Sequence, residues 1–243
     1  MILKRTTNHK KTPLLSIIIP TYNEVGSIEK CLTQIQENLG ELPAEIILAD
    51  SPNSTDKLKE LAEKRKCVYL QTQKGGRNFQ MNQGAEVAKG NLLYFVHADV
   101  IVNKNFNADI RQAISEGYDM AAYRSEYTKY PHPFLYINAF FTRFPMIWCR
   151  GGDQTLFIKK EVFNALNGFS EEHAIMEDYD ILLRAREKYK FKIIPKTVLI
   201  SSRKYQQNGY WKVQKANYLI MRKWKKKEAS PSDLLQTYKH LLD

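Results

Sequence analysis

Several acidic residues of the 243-residue sequence stand where one predicted element ends and another begins. Asp50 closes the apolar run "AEIILAD", Asp99 closes "LLYFVHAD", and Glu177 and Asp178 open a helical pattern. Carboxylates at such junctions, near a glycine-rich turn and a basic surface, suit a phosphorylated ligand whose charge is bridged by Mg²⁺ or Mn²⁺. An ordinary structural role is also open: Asp99 fits a helix cap equally well, and acids at a helix start stabilise the dipole by about 0.3–1 kcal/mol.

Periodicity assigns the first hundred residues to strands that alternate with helices. The strands are the apolar runs "LLSIIIP", which begins at Leu14, "AEIILAD", "CVYLQT" and "NLLYFV". The helices between them cover residues 27–39, 54–66 and 75–90, with Ser27 and Ser54 as the predicted N-caps. This alternation predicts an α/β fold with a doubly wound, mostly parallel sheet and helices on both faces. Ligands of such folds bind beyond the carboxyl ends of the strands, so Asp50 and Asp99 should face one crevice.

The remaining sequence predicts elements of mixed character. "YDMAAYRSEY" alternates as an exposed or mixed strand, "QTLFIKK" predicts a strand, and "FKIIPKTVLIS" predicts one strand or a pair. The aromatic block at residues 134–148 favours an irregular helix packed in the core, although an exposed Tyr136 or Trp148 would suit stacking on a sugar. Further helices are predicted at residues 103–116, 161–166, 176–188 and 210–226. The last of these is basic and amphipathic.

Composition narrows the class of partner. The formal net charge of +11 favours polyanions, phosphorylated small molecules or an anionic membrane face. Part of the excess lies in the end segments "KRTTNHKK" and "MRKWKKK" without any nucleic-acid motif, so nucleic acid is not a predicted partner. The basic tail would suit peripheral contact with anionic lipid as well as packing on the core. The three cysteines are isolated in the sequence, which suits a reducing cytosol. The sequence shows neither a signal peptide nor an apolar run long enough to span a bilayer. We therefore predict a cytoplasmic protein, in solution or peripheral on the inner membrane face.

Five segments occur in an order that resembles a known enzyme family. They are "SIIIPTYNEVGSIEKCL", "IILADSPNSTD", "KGGRNFQMNQGAEVAKGNLLYFVHADV", "GGDQTLFIKKEVFNALNGF" and "IMEDYDILLRAREK". Together they resemble family 2 glycosyltransferases with the Rossmann-like GT-A fold. The forms "GRNFQMN", "HAD" and "MED" resemble a small bacterial subgroup of cytoplasmic, single-domain members. On this basis we predict a basic N-terminal segment at residues 1–13, a GT-A domain at 14–209 and a helical tail at 210–243.

The resemblance implies roles for individual residues. Asp178 would be the general base, Asp99 would hold the metal, and Asp50 would accept a hydrogen bond from the nucleotide base. Arg203 is a further candidate for the donor phosphates, although a solvated basic loop is nearly as consistent. The other implied substrate-binding residues are Pro20, Thr21, Tyr22 and Glu24 of the first loop, Gly76 and Arg77 of the "GR" turn, His97, Glu177, and, on the acceptor side with Gly152, Asp153 and Gln154.

Two departures from the family pattern affect these roles. The usual DxD motif is "HAD" here, so His97 is a metal ligand, a donor to the diphosphate or a strand-end residue. Imidazole binds Mn²⁺ better than Mg²⁺, which favours manganese of the two. The second loop reads "DSPNSTD" where the family commonly has a glycine, so base contacts beyond Asp50 are not implied.

The predicted function is inverting transfer of a sugar from a UDP- or GDP-linked donor to an acceptor hydroxyl, dependent on Mn²⁺ or Mg²⁺. The acceptor is open among a lipid, a small glycoside, a polysaccharide primer and a protein. The incomplete DxD motif also fits a nucleotide-binding relative that is inactive or catalytically weak and has a regulatory or scaffolding role. A dehydrogenase or a nucleotidyltransferase is disfavoured, because "PTYNEVGS" follows the first strand where a dinucleotide fold needs GxGxxG.

Overall fold

The computed structural model describes residues 15–242 of the protein. Leu14, the predicted basic segment at residues 1–13 and Asp243 lie outside this range. The N-terminal half, residues 15–102, contains β1 (Leu15–Thr21), α1 (Val25–Glu37), β2 (Ala44–Asp50), α2 (Leu58–Lys64), β3 (Val68–Gln71), α3 (Arg77–Val87) and β4 (Leu92–Phe95). The C-terminal half, residues 103–242, contains α4 (Phe106–Ser115), β5 (Met120–Tyr127), α5 (Phe134–Phe141), β6 (Leu156–Lys159), α6 (Lys160–Ala165), α7 (Glu177–Ala185), β7 (Phe191–Ile200), α8 (Arg203–Asn208), α9 (Tyr210–Lys226) and α10 (Pro231–Leu242). Short 3-10 turns lie at Ile147–Cys149 and Gly152–Gln154.

One seven-stranded sheet with the order β3-β2-β1-β4-β6-β5-β7 runs through the described residues. β1 pairs in parallel with β2 and β4, and β2 pairs in parallel with β3. β6 lies antiparallel between β4 and β5, while β7 is parallel to β5. The predicted mostly parallel sheet is confirmed, and its antiparallel strand lies entirely in the C-terminal half.

Helices cover both faces of the sheet, as predicted. On one face α1, α2 and α4 pack against Ile17 and Ile19 of β1. On the other face α3, α6 and α7 pack in one cluster with Ile18. Every residue of β1 is buried as a result, which explains why the strand is an unbroken apolar run.

Of the three strands of the C-terminal half, β5 differs from its sequence prediction, and β7 takes one of its two predicted forms. β5 was expected to be exposed or mixed, but its first four residues are buried because β6 and β7 pair with it on either side. β7 is a single strand with an irregularity, since Ile194 pairs with Tyr123 and Thr197 pairs with Arg124. Pro195 lies within this irregularity, where the missing N–H removes no ladder hydrogen bond.

Two predicted helix starts are wrong. α1 begins at Val25, so Ser27 lies inside its first turn, where the serine hydroxyl donates to the Glu24 carbonyl at 3.2 Å. α2 begins at Leu58, and the Ser54 hydroxyl instead accepts a hydrogen bond from the Asn23 N–H at 2.9 Å. A contact between two loops therefore replaces the predicted local cap.

The aromatic block at residues 134–148 is not core, which corrects its sequence prediction. α5 buries only Leu135, against Tyr205 and Val213, and leaves its other large side chains largely in solvent. The reason is position: α5 packs on β5 beyond the helices that cover the sheet, so a single face has neighbours. The exposed members of the block are Phe134, Tyr136, Ile137, Phe140, Phe141 and Trp148.

The helix predicted at residues 210–226 is confirmed as α9, and α10 lies within the predicted helical tail at residues 210–243, whereas α8 was not predicted. α9 buries Val213, Ala216 and Ile220, and it contacts both α8 and α10. Among residues 15–242 no helix is both long and apolar enough to cross a membrane.

Candidate active site

Thr21 and Asp50 lie side by side at the carboxyl ends of β1 and β2, because the parallel register pairs these two residues. The Thr21 hydroxyl donates to Asp50 Oδ1 at 3.0 Å, and the Tyr69 hydroxyl donates to Asp50 Oδ2 at 3.1 Å. Burial and the Asp50 charge raise the pKa of Tyr69, so its hydroxyl keeps the proton that it donates. These bonds fix the orientation of the Asp50 carboxylate, and each oxygen retains a lone pair for a further donor. The predicted contact of Asp50 with a nucleotide base stays a prediction.

The first and second loops are joined by hydrogen bonds. Asn23 adopts a left-handed backbone with φ of 54°, and its Oδ1 accepts from the Thr55 N–H at 2.8 Å. Asp56 Oδ2 accepts from the Val25 N–H at 2.9 Å. The "DSPNSTD" loop thus holds the loop that carries Tyr22 and Glu24. Both of those side chains remain accessible, Tyr22 exposed and Glu24 half-buried, while Pro20 is buried.

Three amide side chains of α3 connect the strand ends to the C-terminal half. Gln80 Nε2 donates to the carbonyls of Thr21 and Ala49 at 2.6 and 2.8 Å. Asn78 Nδ2 donates to the Ser170 carbonyl at 3.0 Å, and Asn82 bonds the backbone of Phe169. The motif "GRNFQMN" contributed to the family resemblance, but no role was predicted for these three amides. The signal was available, since three amides on one short helix beside a core strand must find partners.

The turn before α3 needs a glycine. Gly76 has φ of 122°, and a Cβ there would lie 3.1 Å from the Asn78 side chain. The turn ends at Arg77, whose Nε lies 2.9 Å from Glu177 Oε1 at the start of α7. Glu177 is completely buried, and burial raises its pKa to about 7 although the Arg77 charge acts in the opposite direction. The predicted "GR" and "ED" motifs therefore meet in one ion pair.

His97 lies next to this pair. Its Nδ1 is 3.1 Å from Asp153 Oδ1 and 3.5 Å from Arg77 Nη1. Burial and Arg77 lower the pKa of His97, but the hydrogen bond and charge of Asp153 outweigh both and raise it. Burial alone would raise the pKa of Asp153, yet His97, Lys204 and Arg77 hold it well below its usual range. The Nδ1 of His97 is thus engaged by Asp153, and only its Nε2 is available to another group.

Asp99 follows two residues later and is half-buried. Burial and then the charge of Asp153 raise its pKa, which His97 partly offsets. Among the described residues no cluster of three or more His, Cys, Asp or Glu side chains could hold a metal ion. A lone carboxylate at this position fits Mg²⁺ or Mn²⁺ bound jointly with substrate phosphates, because such ions are usually held by one or two carboxylates plus phosphate oxygens.

Asp178 completes the cluster. After Glu177, the charges of Asp178, Asp153 and Asp99 each raise the pKa of Arg77, so these carboxylates lie near one guanidinium. Asp178 also lines a small cavity with Gln154, which is buried. The predicted base and the predicted metal ligand are therefore both near Arg77, and their roles stay predictions.

Arg203 lies on α8, which had been expected to be a loop. Its Nη2 is 4.0 Å from Glu24 Oε1, and the side chain is exposed. Its neighbour Lys204 donates to the Tyr238 hydroxyl at 2.8 Å and lowers the pKa of Asp153. A basic edge therefore flanks the first loop, and a role for Arg203 in phosphate binding stays a prediction.

The sequence profile of glycosyl transferase family 2 matches residues 16–164, more than half of the chain. The chain belongs to glycosyl transferase family 2. The predicted family is thereby confirmed. The matched region of this family 2 chain contains β1 to β4, Asp99 and Asp153, but it ends before Glu177 and Asp178.

Relatives with names in the same family match part of the chain. It is 34% identical over 113 residues to glycosyltransferase GlyG of Streptococcus pneumoniae serotype 4, which covers 42% of the chain and 36% of GlyG. It is 31% identical over 113 residues to the GalNAc(5)-diNAcBac-PP-undecaprenol beta-1,3-glucosyltransferase of Campylobacter jejuni, covering 44% of the chain and 36% of that protein. The family 2 chain thus matches little more than a third of the length of either relative.

Solved structures of glycosyltransferases share the fold. The mannosyltransferase PcManGT of Pyrobaculum calidifontis, in complex with GDP-Man and Mn²⁺, superposes with a TM-score of 0.66 at 19% identity, covering 96% of this chain and 70% of PcManGT. S. aureus TarS 1–349 in complex with UDP-GlcNAc gives a TM-score of 0.62 at 19% identity, covering 77% of this chain and 58% of TarS 1–349. The predicted GT-A fold is confirmed for this family 2 chain. The bacterial subgroup and the residue roles stay predictions.

Proposed function

We propose that the protein transfers a sugar from a UDP- or GDP-linked donor to an acceptor hydroxyl, with inversion at the anomeric carbon. The observation that carries this proposal is the cluster in which Asp99, Asp153 and Asp178 lie near Arg77 at one edge of the sheet. Family membership adds support, and so do the nucleotide-sugars in the structures of PcManGT and TarS.

The donor would lie over the carboxyl ends of β1 and β2. Asp50, already oriented by Thr21 and Tyr69, would accept a hydrogen bond from the nucleotide base. Arg77 would face the diphosphate, because the buried Glu177 holds its guanidinium in the crevice. When bound, Mg²⁺ or Mn²⁺ held by Asp99 and the substrate phosphates supplies further neutralisation of the diphosphate charge.

Residues of the chain would remove the proton of the acceptor hydroxyl and stabilise the charge that develops on the leaving nucleoside diphosphate. The Asp178 carboxylate takes the proton of the acceptor hydroxyl as its oxygen bonds to the anomeric carbon on the face opposite the nucleotide. The bond from that carbon to the diphosphate oxygen breaks, and its electron pair leaves with the nucleoside diphosphate. Arg77 stabilises the leaving charge more in the transition state than in the ground state.

A donor panel tests this function. UDP- and GDP-sugars are incubated with the protein and Mn²⁺, and slow hydrolysis of each donor is measured. Asp178→Asn should lower the rate about 100-fold or more. Glu187→Gln, at an exposed position just after α7, is the matched control and should leave the rate unchanged. No hydrolysis of any donor, or equal rates for Asp178→Asn and the unaltered protein, would contradict the proposal.

The alternative function is nucleotide binding without efficient transfer, and it is favoured by the incomplete DxD motif, which reads His97-Ala98-Asp99, and by the altered second loop "DSPNSTD". It predicts that a nucleoside diphosphate stabilises the protein in the presence of a chelator. Saturation at a hundred times Kd corresponds to about 2.7 kcal/mol. Stabilisation that vanishes with chelation, together with donor hydrolysis, would exclude this alternative.

A peripheral contact with anionic membranes belongs to the same proposal, since the acceptor of the C. jejuni relative is named as an undecaprenol-linked molecule. α5 supplies exposed aromatic surface, and Arg143 stacks on Phe140 at 3.9 Å. We expect the chain to sediment with anionic liposomes and Phe140→Ser to weaken this association. Equal association with neutral and anionic liposomes would remove the charge-based contact.

A further inference from the structure

Arg150 is a buried cation without a hydrogen-bond partner. Its side chain is 3% exposed, and none of its three guanidinium nitrogens has a partner within the described residues. Burial lowers the pKa of Arg150 to about 10, so the group is still charged at neutral pH. The other buried charged or titratable acid and imidazole side chains of residues 15–242 each have a hydrogen-bond or ion-pair partner: Asp50, His97, Asp109 and Glu177. A buried charge without hydrogen bonds is costly, which indicates a ligand for Arg150.

Arg150 forms part of the wall between two cavities. The smaller, of about 20 Å³, is also lined by Asp178, Gln154 and Thr155, and it has room for about one water. The larger, of about 290 Å³, is lined mainly by apolar side chains of residues 145–148, α7 and β7. Leu182 lines both cavities as well. Arg150 and Leu182 therefore separate the proposed base from an apolar chamber near the size of small-molecule sites, about 300–1,000 Å³.

One polar atom beside Arg150 also lacks a partner in the described chain. It is Oε1 of Gln154, whose side chain is buried. Gln154 Oε1 accepts hydrogen bonds only, so it requires a hydroxyl or amine donor, whereas Arg150 requires an anionic acceptor of hydrogen bonds. A single water cannot neutralise the guanidinium charge, and a purely apolar molecule would satisfy neither group.

We propose that Arg150 binds the phosphate or carboxylate of an amphiphilic acceptor, and that the larger cavity holds the nonpolar part of the same molecule. This rests on the proposed sugar transfer, because Arg150 lines the larger cavity and also lines the smaller one with Asp178, near which the acceptor hydroxyl would react. The charge-assisted hydrogen bonds of the guanidinium would fix the acceptor, and Leu182 and Leu183 would contact its nonpolar part.

Arg186 offers a matched comparison at the same cavity. It also lines the larger cavity, but its side chain is exposed, and its Nη2 lies 3.7 Å from Glu187 Oε1. An exposed guanidinium is screened by water and salt, so its contribution to anion binding should be small. Comparing substitutions of Arg150 and Arg186 therefore distinguishes the contribution of a buried cation to anion binding from the contribution of positive charge in general.

The test measures binding of four probes by calorimetry below their micelle concentrations: decyl phosphate, decanoate, decanol and inorganic phosphate. The proteins are the unaltered chain, Arg150→Met and Arg186→Met. We expect the unaltered chain to bind decyl phosphate or decanoate about ten-fold or more tightly than decanol or free phosphate. Arg150→Met should lose this preference, and Arg186→Met should keep most of it. Tight binding of free phosphate alone would overturn the amphiphilic acceptor.

Thermal unfolding distinguishes a ligand-binding role of Arg150 from a structural one. Replacing an unpaired buried charge by an apolar side chain of similar length is neutral or stabilising, so Arg150→Met should show an equal or higher Tm. A lower Tm with unchanged preference for decyl phosphate would overturn the proposal. If Arg150→Met does not fold, Leu183→Trp narrows the cavity from an exposed position and should weaken decyl phosphate binding.

Failure of this proposal and failure of the proposed function are distinguishable. UDP and GDP binding and donor hydrolysis are measured on the same variants. Arg150-dependent binding of decyl phosphate without any donor hydrolysis would keep the anion site and remove sugar transfer. Donor hydrolysis with equal binding of decyl phosphate and decanol would keep sugar transfer and remove the anion site. Displacement of decyl phosphate by UDP, unaffected by Arg150→Met, would likewise overturn the anion site.

Discussion

Asp50 in the N-terminal half and Arg150 in the C-terminal half are both buried charged groups, but they differ in their hydrogen bonds. Asp50 receives two hydroxyl donors, and nearby Gln80 donates to two strand-end carbonyls. In the described chain, all three guanidinium nitrogens of Arg150 and Oε1 of nearby Gln154 have no hydrogen-bond partner. Single buried atoms without a partner also occur in the N-terminal half, such as Asn78 Oδ1, so the contrast is between these two charged groups.

This difference separates two kinds of binding surface. Groups that are oriented by the protein lose little further freedom when a ligand arrives, which suits a ligand of constant shape such as a nucleotide. Groups that lack internal partners gain hydrogen bonds only from a ligand, so they select for its chemistry. The exposed aromatic side chains of α5 also lie in the C-terminal half, which contains Arg150.

The largest expected effect is on the amide that closes the N-terminal half. Gln80→Glu replaces a donor by a carboxylate that faces two carbonyl oxygens in a buried position, so we expect a loss of about 3–5 kcal/mol in the free energy of unfolding. Gln83→Glu on the same helix is the control, because Gln83 Oε1 accepts from the Gln73 N–H and a carboxylate can accept the same bond. Urea unfolding at pH 8 measures both. Equal losses would show that the pairing of Gln80 is not special.

The next effect concerns the ion pair that joins the two halves. Burial raises the folded pKa of Glu177 to about 7 from an ordinary value of 4.5, so the stability that the protonated carboxyl contributes is complete below about pH 4.5 and is lost as pH rises through 7. The unaltered protein should lose roughly 3 kcal/mol across this window relative to Glu177→Gln. Urea unfolding between pH 5 and 8 gives the two slopes. Equal pH dependence of the unfolding free energy in the unaltered protein and in Glu177→Gln would mean that another group near Arg77 takes up the proton.

The sequence predicted the fold well where the pattern is local. The alternation of strands and amphipathic helices predicted β1 to β4, because burial on both sheet faces makes β1, β2 and β4 mainly apolar, while the edge strand β3 is more exposed. Helical periodicity predicted α9. Ser27 and Ser54 failed as N-caps for a physical reason. Ser54 bonds Asn23, a residue distant in the chain, and no local pattern contains that contact.

Individual residues of the site could be predicted from the sequence, but the contacts between them could not. The junction carboxylates Asp99 and Asp178 were identified from their positions, and the charges of both act on Arg77, while their roles stay predictions. The pairing of Arg77 with Glu177 could not be read from spacing, since it depends on where α7 packs. Arg150 gave no signal at all, because an arginine in a sequence is ordinarily solvated. Nor could apolar content tell that α5 would be exposed.

A pair of glycines tests the close packing of the N-terminal half. A Cβ at Gly84 of α3 would lie 2.6 Å from Ile18 Cγ2, a buried branched side chain that cannot move aside, so Gly84→Ala should cost about 1–3 kcal/mol. Gly26 of α1 has nothing within 4 Å of the same position, so Gly26→Ala should stabilise the protein by about 0.5–1 kcal/mol. Thermal unfolding compares the two, and destabilisation by both would contradict the assigned packing.

The smallest expected effect is in the C-terminal half, on α5. Ile137→Ser removes an apolar side chain that is 48% exposed, so we expect a change within about 0.5 kcal/mol. Leu135→Ala, two residues earlier on the buried face, should cost about 2–5 kcal/mol. A large loss for Ile137→Ser would mean that α5 is covered in solution. A small loss of stability for Ile137→Ser, together with weaker liposome association, would assign the exposed face of α5 to binding. The two halves would then differ in their exposed apolar surface as well as in their buried charged groups.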